Sequence, residues 1–533
     1  MMRGILGRTF ARARRVSVWM LAVTTTCCGA EIRPADIAAR IDRHLAVDVN
    51  DESRFASPEE FLRRLTLDLA GRIPTVAEVH EFLGDSSTSR RAGAIERLMQ
   101  AGIYSRNMAT FWRRSWVPQA DTREFESVTD NFELWLAQRL RAGGRYDDLV
   151  VEVMTLDAGR SAGAGMSPTG FYDANQSKPE NLAASATRSF LGNNLDCAQC
   201  HDHPFSRWTR EQFWQTAAFF AAPTEDGKGG SKLPQVRVPD TKLEYQPVLL
   251  SEGKPEWPEK IDSVGLRTVL ARWMQEEPEH LLAKNAVNRL WAHFFGEAII
   301  EPMDDLSRDE FQSGERAALL TDLSTAFIES GYDLDVMVAG IVNSQAYRLR
   351  SIAAVHSAGN VAEAKVDEAD AKGAASPSGA MRFTAVGVRG LTGEQLYDSL
   401  QTAAGLPPER TDLGSGRQRG RRREFASHFF VERTNTAERS ISQALTLMNG
   451  TLVNEMTTAN GNPLLASLVS APFLSLDEQR DTLFVAVLGR HARPEELAAV
   501  GRAAELTPQT SREEHLGNLF WVLVNSPEFN TNH

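Results

Sequence analysis

Cysteine is scarce in this chain, with four in 533 residues, which excludes a disulfide-built scaffold. No stretch reaches 18 consecutive apolar residues outside the first thirty positions, so nothing there reads as a membrane-spanning helix. Excess positive charge is also missing: 58 Lys and Arg stand against 70 Asp and Glu, a net charge of -12, which argues against a general nucleic-acid binder. Alternating valine-rich segments of the kind that build sheets are few. What remains is 42% hydrophobic and 24% charged, a globular composition, on a length that at roughly 150 residues per domain predicts two to four domains.

The N-terminus differs from the rest. Arg3, Arg8, Arg12, Arg14 and Arg15 precede an apolar stretch from Val16 to Val23, the small residues Cys28 and Ala30 come next, and no acid occurs before Glu31. This order predicts a signal peptide over residues 1–30, cleaved before Glu31, and hence a periplasmic or extracellular protein with no transmembrane helix after cleavage. Removing five arginines and no acids takes the charge to about -17.

Helix punctuation dominates the chain after Glu31. Ser57-Pro58-Glu59-Glu60 places an N-cap, a first-turn proline and a carboxylate ahead of Phe61, Leu62, Leu65 and Leu69, ending at Gly71. Thr75 with Glu78 opens a second helix. Further helices are predicted over 90–99, 107–116, 131–140, 264–275, 279–295, 317–330, 393–404, 440–447, 476–488 and 494–504. The fold class is therefore mainly α: a multi-helical N-terminal domain over 31–225, a linker over 226–262, and a helical C-terminal domain over 263–352 and 381–530. An Ala/Ser/Gly/acidic low-complexity insert, expected to be disordered, interrupts the last at 353–380.

Both cysteines that survive cleavage lie in Cys197-Ala198-Gln199-Cys200-His201, the spacing of covalent haem attachment. Two thiols in this order can add to the two vinyl groups of one haem, and the adjoining imidazole then serves as proximal iron ligand. The expected cofactor is thus one covalent haem c held by Cys197, Cys200 and His201. A CxxC disulfide, a zinc site that adds His203, and a Cys-His-Asp hydrolase are the competing readings. Met154, Met166 and His293 are candidate second axial ligands, alongside an open iron position. After the motif, His203-Pro204-Phe205 predicts a turn and Thr209-Arg210-Glu211-Gln212 a capping box, opening a helix with Phe213, Trp214, Phe219 and Phe220 as core.

Two charged features stand apart. Arg417, Arg419, Arg421, Arg422 and Arg423 predict a dense cationic loop, a candidate site for an anionic polysaccharide, a lipid headgroup or an acidic surface partner. Asp304-Asp305, after Glu301-Pro302, reads as a turn with helix-capping carboxylates. His293 reads as a buried structural histidine on its own helix.

The strings Phe190-Leu191-Gly192, Cys197 to Phe205 and Trp208-Thr209 resemble the planctomycete cytochrome-like proteins that pair the domain of unknown function 1549 with the domain of unknown function 1553. Phe61 to Leu65 and Asp68-Leu69-Ala70-Gly71-Arg72-Ile73-Pro74-Thr75 are similar to the opening of the first domain. Val287-Asn288-Arg289, Trp291, Phe295-Gly296 and Asp304-Asp305 are similar to the opening of the second, and Arg439-Ser440 with Gln443 extends the likeness toward the C-terminus. Ser206, Asp335 and Ala339 depart from the usual pattern. The resemblance implies a cytochrome-like first domain and no established activity. The expected function is electron transfer, or haem-dependent redox chemistry, outside the cytoplasm with a redox partner protein. The alternatives are a polysaccharide-associated hydrolase or metal-dependent enzyme, and a non-catalytic cell-surface scaffold, with CxxCH as metal site or disulfide.

Overall fold

Capping residues set the helix starts, as the sequence pattern demands. In the computed structural model, helix α1 spans Pro34–Leu45 and α2 spans Pro58–Ala70, with Ser57 accepting a hydrogen bond from Glu60 N at 3.2 Å. Thr75 and Glu78 cap each other at the start of α3 (Val76–Gly84), an arrangement worth about 1 kcal/mol. Helices α4 (Arg90–Gln100), α5 (Gly102–Trp116), α6 (Glu126–Arg141), α7 (Tyr146–Met154), α8 (Thr169–Ala174), α9 (Pro179–Leu191) and α10 (Arg210–Ala217) complete the N-terminal part. The structure describes residues 32–533 except 122–125, 158–165, 205, 226–230, 252–254, 260, 309–312, 353–384, 407–415, 430–439 and 506–508. The expected signal peptide and low-complexity insert therefore lie outside the described residues.

The second part contributes α11 (Ser263–Glu276), α12 (Leu281–Phe295), α13 (Glu315–Glu329), α14 (Leu334–Asn343), α15 (Gly393–Ala403), α16 (Gly416–Ser427) and α17 (Ile441–Asn449). Later come α18 (Thr451–Met456), α19 (Pro463–Val469), α20 (Leu476–Leu488), α21 (Pro494–Glu505), α22 (Arg512–Val524) and α23 (Pro527–Asn530). The fold is mainly α. Its strands, among the described residues, are two-residue pairs such as β1 (Val236–Arg237) with β2 (Glu244–Tyr245), and β3 (Arg389–Gly390) with β4 (Thr531–Asn532).

Two apolar cores hold residues 32–533 as one compact unit. The larger joins Ile37, Phe61, Trp112 and Phe190 to Leu290, Phe327 and Ile341, so α1 packs on α13 and α14 from the other side of the sequence. The smaller gathers Leu396, Phe484, Phe520 and Phe529 around Leu67 and Ile73 of the N-terminal part. Core boundaries therefore cross the sequence division at 226–262. That segment is itself packed: Trp257 stacks on Phe219 with ring centroids 5.9 Å apart, and Trp273 donates to Ser251 Oγ at 2.7 Å.

The arginine run forms helix α16 where a loop was expected. Arg and Gln are good helix formers, and carboxylates on neighbouring helices remove the repulsion that would oppose it.

Candidate functional site

Helix α9 delivers the cysteine loop. It ends at Gly192 in the left-handed region (φ +62°), where a Cβ would come within 2.8 Å of Leu306 and 3.0 Å of Asn285. Glycine is required there for conformation and for this close approach. The turn is braced by the second block: Leu306 N donates to Gly192 O at 2.9 Å, Asn193 bridges to Asp305, and Ser307 Oγ donates to Asn193 Oδ1. Asn285 Nδ2 reaches Ser189 O at 2.7 Å, and Arg289 donates to Arg188 O and Asp304. Asp304 and Asp305 therefore pair with Arg289 and Arg308, a correction to their expected helix-capping role.

From this brace a short 3-10 turn, Asp196–Gln199, carries the motif outward. Leu195 and Ala198 are buried and anchor it, while Trp214 Nε1 on α10 donates to Gln199 O at 3.1 Å. Cys197, Cys200 and His201 are exposed, and both thiols are free. His201 Nδ1 lies 2.7 Å from Asp202 O. A proton on Nδ1 satisfies that carbonyl and leaves the Nε2 lone pair available to a metal, the usual way a ligand histidine is oriented. The next turn is closed by Arg210 N to Asp202 Oδ1 and His203 N to Trp208 O, each 2.8 Å, and the capping box of Thr209 with Gln212 forms. Phe213, Trp214, Phe219 and Phe220 are core.

The arrangement offers two free thiols and one accessible imidazole nitrogen on one rigidly supported loop. This donor set fits covalent haem attachment and axial ligation. Among the described residues, no three His, Cys, Asp or Glu side chains converge as a metal-binding group, so the zinc set does not assemble in this conformation.

Of the candidate second axial ligands, Met154 is buried and its carbonyl accepts from Tyr172 and Arg267, and Met166 is half exposed. His293 is half-buried against Phe111 and Phe294, 3.2 Å from Asp68 O, and desolvation pushes its pKa below the usual histidine range.

His293 belongs to a second polar centre that sequence reasoning did not assign. Asp68, fully buried on α2, accepts from Tyr347 Oη at 2.7 Å, Arg389 at 3.0 and 3.2 Å, and Asn532 Nδ2 at 2.7 Å. Burial and then the Asp68 charge push the Tyr347 hydroxyl well above its ordinary pKa. Beside it, Arg63 donates to the carbonyls of Glu528 and Phe529, and Arg64 to those of Tyr347 and Leu349. Burial pulls Arg63 down to about 10. The available signal was two arginines and an aspartate inside an otherwise apolar helix, which burial must pair.

The arginines of α16 are also engaged. Arg422 makes a bidentate pair with Asp398, Arg423 pairs with Asp130, and Arg421 pairs with Glu455 on the surface. The side chains of Arg417 and Arg419 lie outside the described residues.

The fold and loop together define a helical protein that presents CxxCH on its surface. Residues 36–225 match PSCyt2, a protein of unknown function (DUF1549), and residues 266–424 match PSD1, a protein of unknown function (DUF1553). The chain belongs to the family that pairs these two domains. No curated protein and no solved structure matches it. The second match ends at 424, so the C-terminal helices from α17 onward lie beyond it.

Proposed function

We propose that this chain is an exported c-type haem protein that carries one haem on Cys197 and Cys200, with His201 Nε2 as proximal ligand, for electron transfer or redox chemistry outside the cytoplasm. The observation that carries this reading is the loop itself: two free exposed thiols at attachment spacing, beside an imidazole whose Nδ1 is committed to a backbone carbonyl. When bound, the haem supplies one-electron chemistry. The chain's own residues do the rest. The thiols hold, the Asp202 carbonyl fixes the imidazole tautomer, and the Gly192–Asn193 brace keeps the loop in place. The arginine-rich, acid-free start of the sequence supports export, which covalent haem attachment in bacteria requires, and the label PSCyt2 of the matched domain is in keeping with a cytochrome.

The test is expression in a host that matures c-type cytochromes. The wild-type protein should show a haem absorption spectrum, His201→Ala should keep the porphyrin but change the iron's spectrum, and Cys197→Ala with Cys200→Ala should abolish attachment. A wild-type protein with two reduced or disulfide-linked cysteines and no iron overturns the proposal, and metal analysis then decides between a zinc site and a redox clip.

A further inference from the structure

Half-buried arginines in this acidic chain usually reach a carboxylate, as Arg40, Arg72, Arg289 and Arg490 do. Arg90 and Arg91 on α4 and Arg348 beside Tyr347 are also half-buried, yet none of them makes an ion pair among the described residues. Each instead lies over a phenylalanine ring: Arg90 over Phe82 at 5.3 Å, Arg91 over Phe61 at 5.5 Å, Arg348 over Phe55 at 4.8 Å. The Phe61 ring gathers them, standing 6.2 Å from Phe82 and 6.2 Å from Tyr347, the chain neighbour of Arg348. Stacking uses the flat face of a guanidinium and leaves its N–H edge for an anion. Arg90 donates to Asp85 O at 3.4 Å and Arg348 to Gln345 Oε1, while Arg91 makes no hydrogen bond among the described residues.

Like charges collect here at a cost. Arg90 and Arg91 stand in the first turn of α4, where the helix dipole is already positive; that turn holds no acid, and Ser89 supplies no side-chain cap. Burial and then the charges of Arg348 and Arg90 push Arg91 below the usual arginine range. The neighbouring carboxylates are committed to backbone: Asp42 accepts from Gln345 N at 2.8 Å and Ala346 N at 3.2 Å, and Asp85 from Ser87 N at 2.8 Å. A bound anion relieves this repulsion, and partial burial strengthens its attraction over that of an open surface.

We propose that Arg91 and Arg348, with Arg90 at the margin, form a binding site for a phosphate or sulfate group. Guanidinium edges match the charge and the oxygen spacing of such an anion. The site does not depend on the haem reading. It also moves the polyanion role expected of the arginine run to a different place, because Arg421, Arg422 and Arg423 of α16 already have carboxylate partners.

The experiment is calorimetric titration of the purified full-length protein with inorganic phosphate, inorganic sulfate and dextran sulfate, at fixed ionic strength. Wild type should bind at least one of the three probes. Arg91→Gln and Arg348→Gln should each weaken that binding by about tenfold or more, since each removes a charge-assisted contact. Arg421→Gln should leave it unchanged. Arg90→Gln should weaken it less, and Arg91→Lys should keep part of the affinity, so the test survives a glutamine variant that fails to fold. Tighter binding of dextran sulfate, counted per sulfate group, than of the free ions assigns the site to a chain-borne sulfate; tighter binding of a free ion assigns it to that ion. No binding of any probe, or equal affinity in wild type, Arg90→Gln and Arg91→Lys, overturns the proposal.

Discussion

The Asp68 junction and the CxxCH loop are both dense in chemically capable residues, yet they are finished differently. Asp68, Tyr347, Arg389 and Asn532 meet one another in a sealed interior, with the carboxylate held by three side chains. Cys197, Cys200 and His201 face outward on a loop braced from beneath by Leu195 and Ala198. Charged groups paired in a dry interior rigidify a fold, whereas exposed thiols and an imidazole on a supported loop stay open to a ligand; unmatched buried atoms do not separate the two places, since Arg389 Nε and Asn532 Oδ1 at the junction lack partners too. The junction therefore holds the molecule together, joining α2 to residues 279 and 464 positions away in sequence, and the loop is where chemistry enters.

Removing the buried carboxylate has the largest expected effect. Asp68→Ala leaves Arg389 buried without its counter-ion, so chemical denaturation should show a loss of about 3–5 kcal/mol. Cys197→Ala in apoprotein should stay within about 0.5 kcal/mol of wild type, because the side chain is exposed and free. Equal losses at the two positions would erase the distinction between them.

Gly192→Ala comes next. The forced left-handed backbone and the approach to Leu306 should cost about 2–3 kcal/mol, measured by thermal or denaturant unfolding. Because this turn launches the cysteine loop, the variant should also lower haem yield in a competent host, linking the brace to the site.

The arginine helix separates paired from exposed charge. Arg422→Gln breaks a largely buried bidentate pair and should cost roughly 2 kcal/mol, while Arg421→Gln loses only a surface pair and should cost at most about 0.5 kcal/mol. Double-mutant cycles with Asp398 and Glu455 measure the two couplings directly.

The smallest expected effect is a pH slope. Burial holds His293 below its ordinary range and His533 at about 4, so the unfolded chain binds more protons as pH falls through about 6.5. This stability is fully present above that pH and is lost below it, by about 0.7 kcal/mol for His533 between pH 7 and 6, with His293 adding to the loss in the same direction. Denaturation midpoints across this range check the slope, and His293→Gln should flatten it.

Local signals were readable from residues close together in sequence. Ser57-Pro58, Thr75-Glu78 and Thr209-Gln212 marked helix starts that the structure places at those positions. The helices over 146–154 and 179–191 were missed because they are short or bury polar residues that break the apolar periodicity, whereas those over 34–45, 334–343 and 512–524 bury no polar side chain and their apolar faces were there to be read. Ser185 and Thr187 in α9 illustrate this: Ser185 bonds Asn175 and Thr187 its own helix backbone, which leaves polar residues inside a core helix. The CxxCH spacing was legible for the same local reason. Its support was not, since Asn193 meets Ser307 and Gly192 meets Leu306 only after more than a hundred residues of intervening chain have folded. The arginine run misled because its counter-charges, Asp398 and Asp130, lie on other helices.

Covalent haem at the loop decides whether this chain is a c-type haem protein. Protein matured in a competent host should be unfolded, extracted with acidified acetone and run on a denaturing gel. Thioether bonds from Cys197 and Cys200 predict that haem stain and the mass of one haem remain with the chain, and that both vanish when the two cysteines are replaced. A wild-type chain that carries neither stain nor added mass would contradict the central claim.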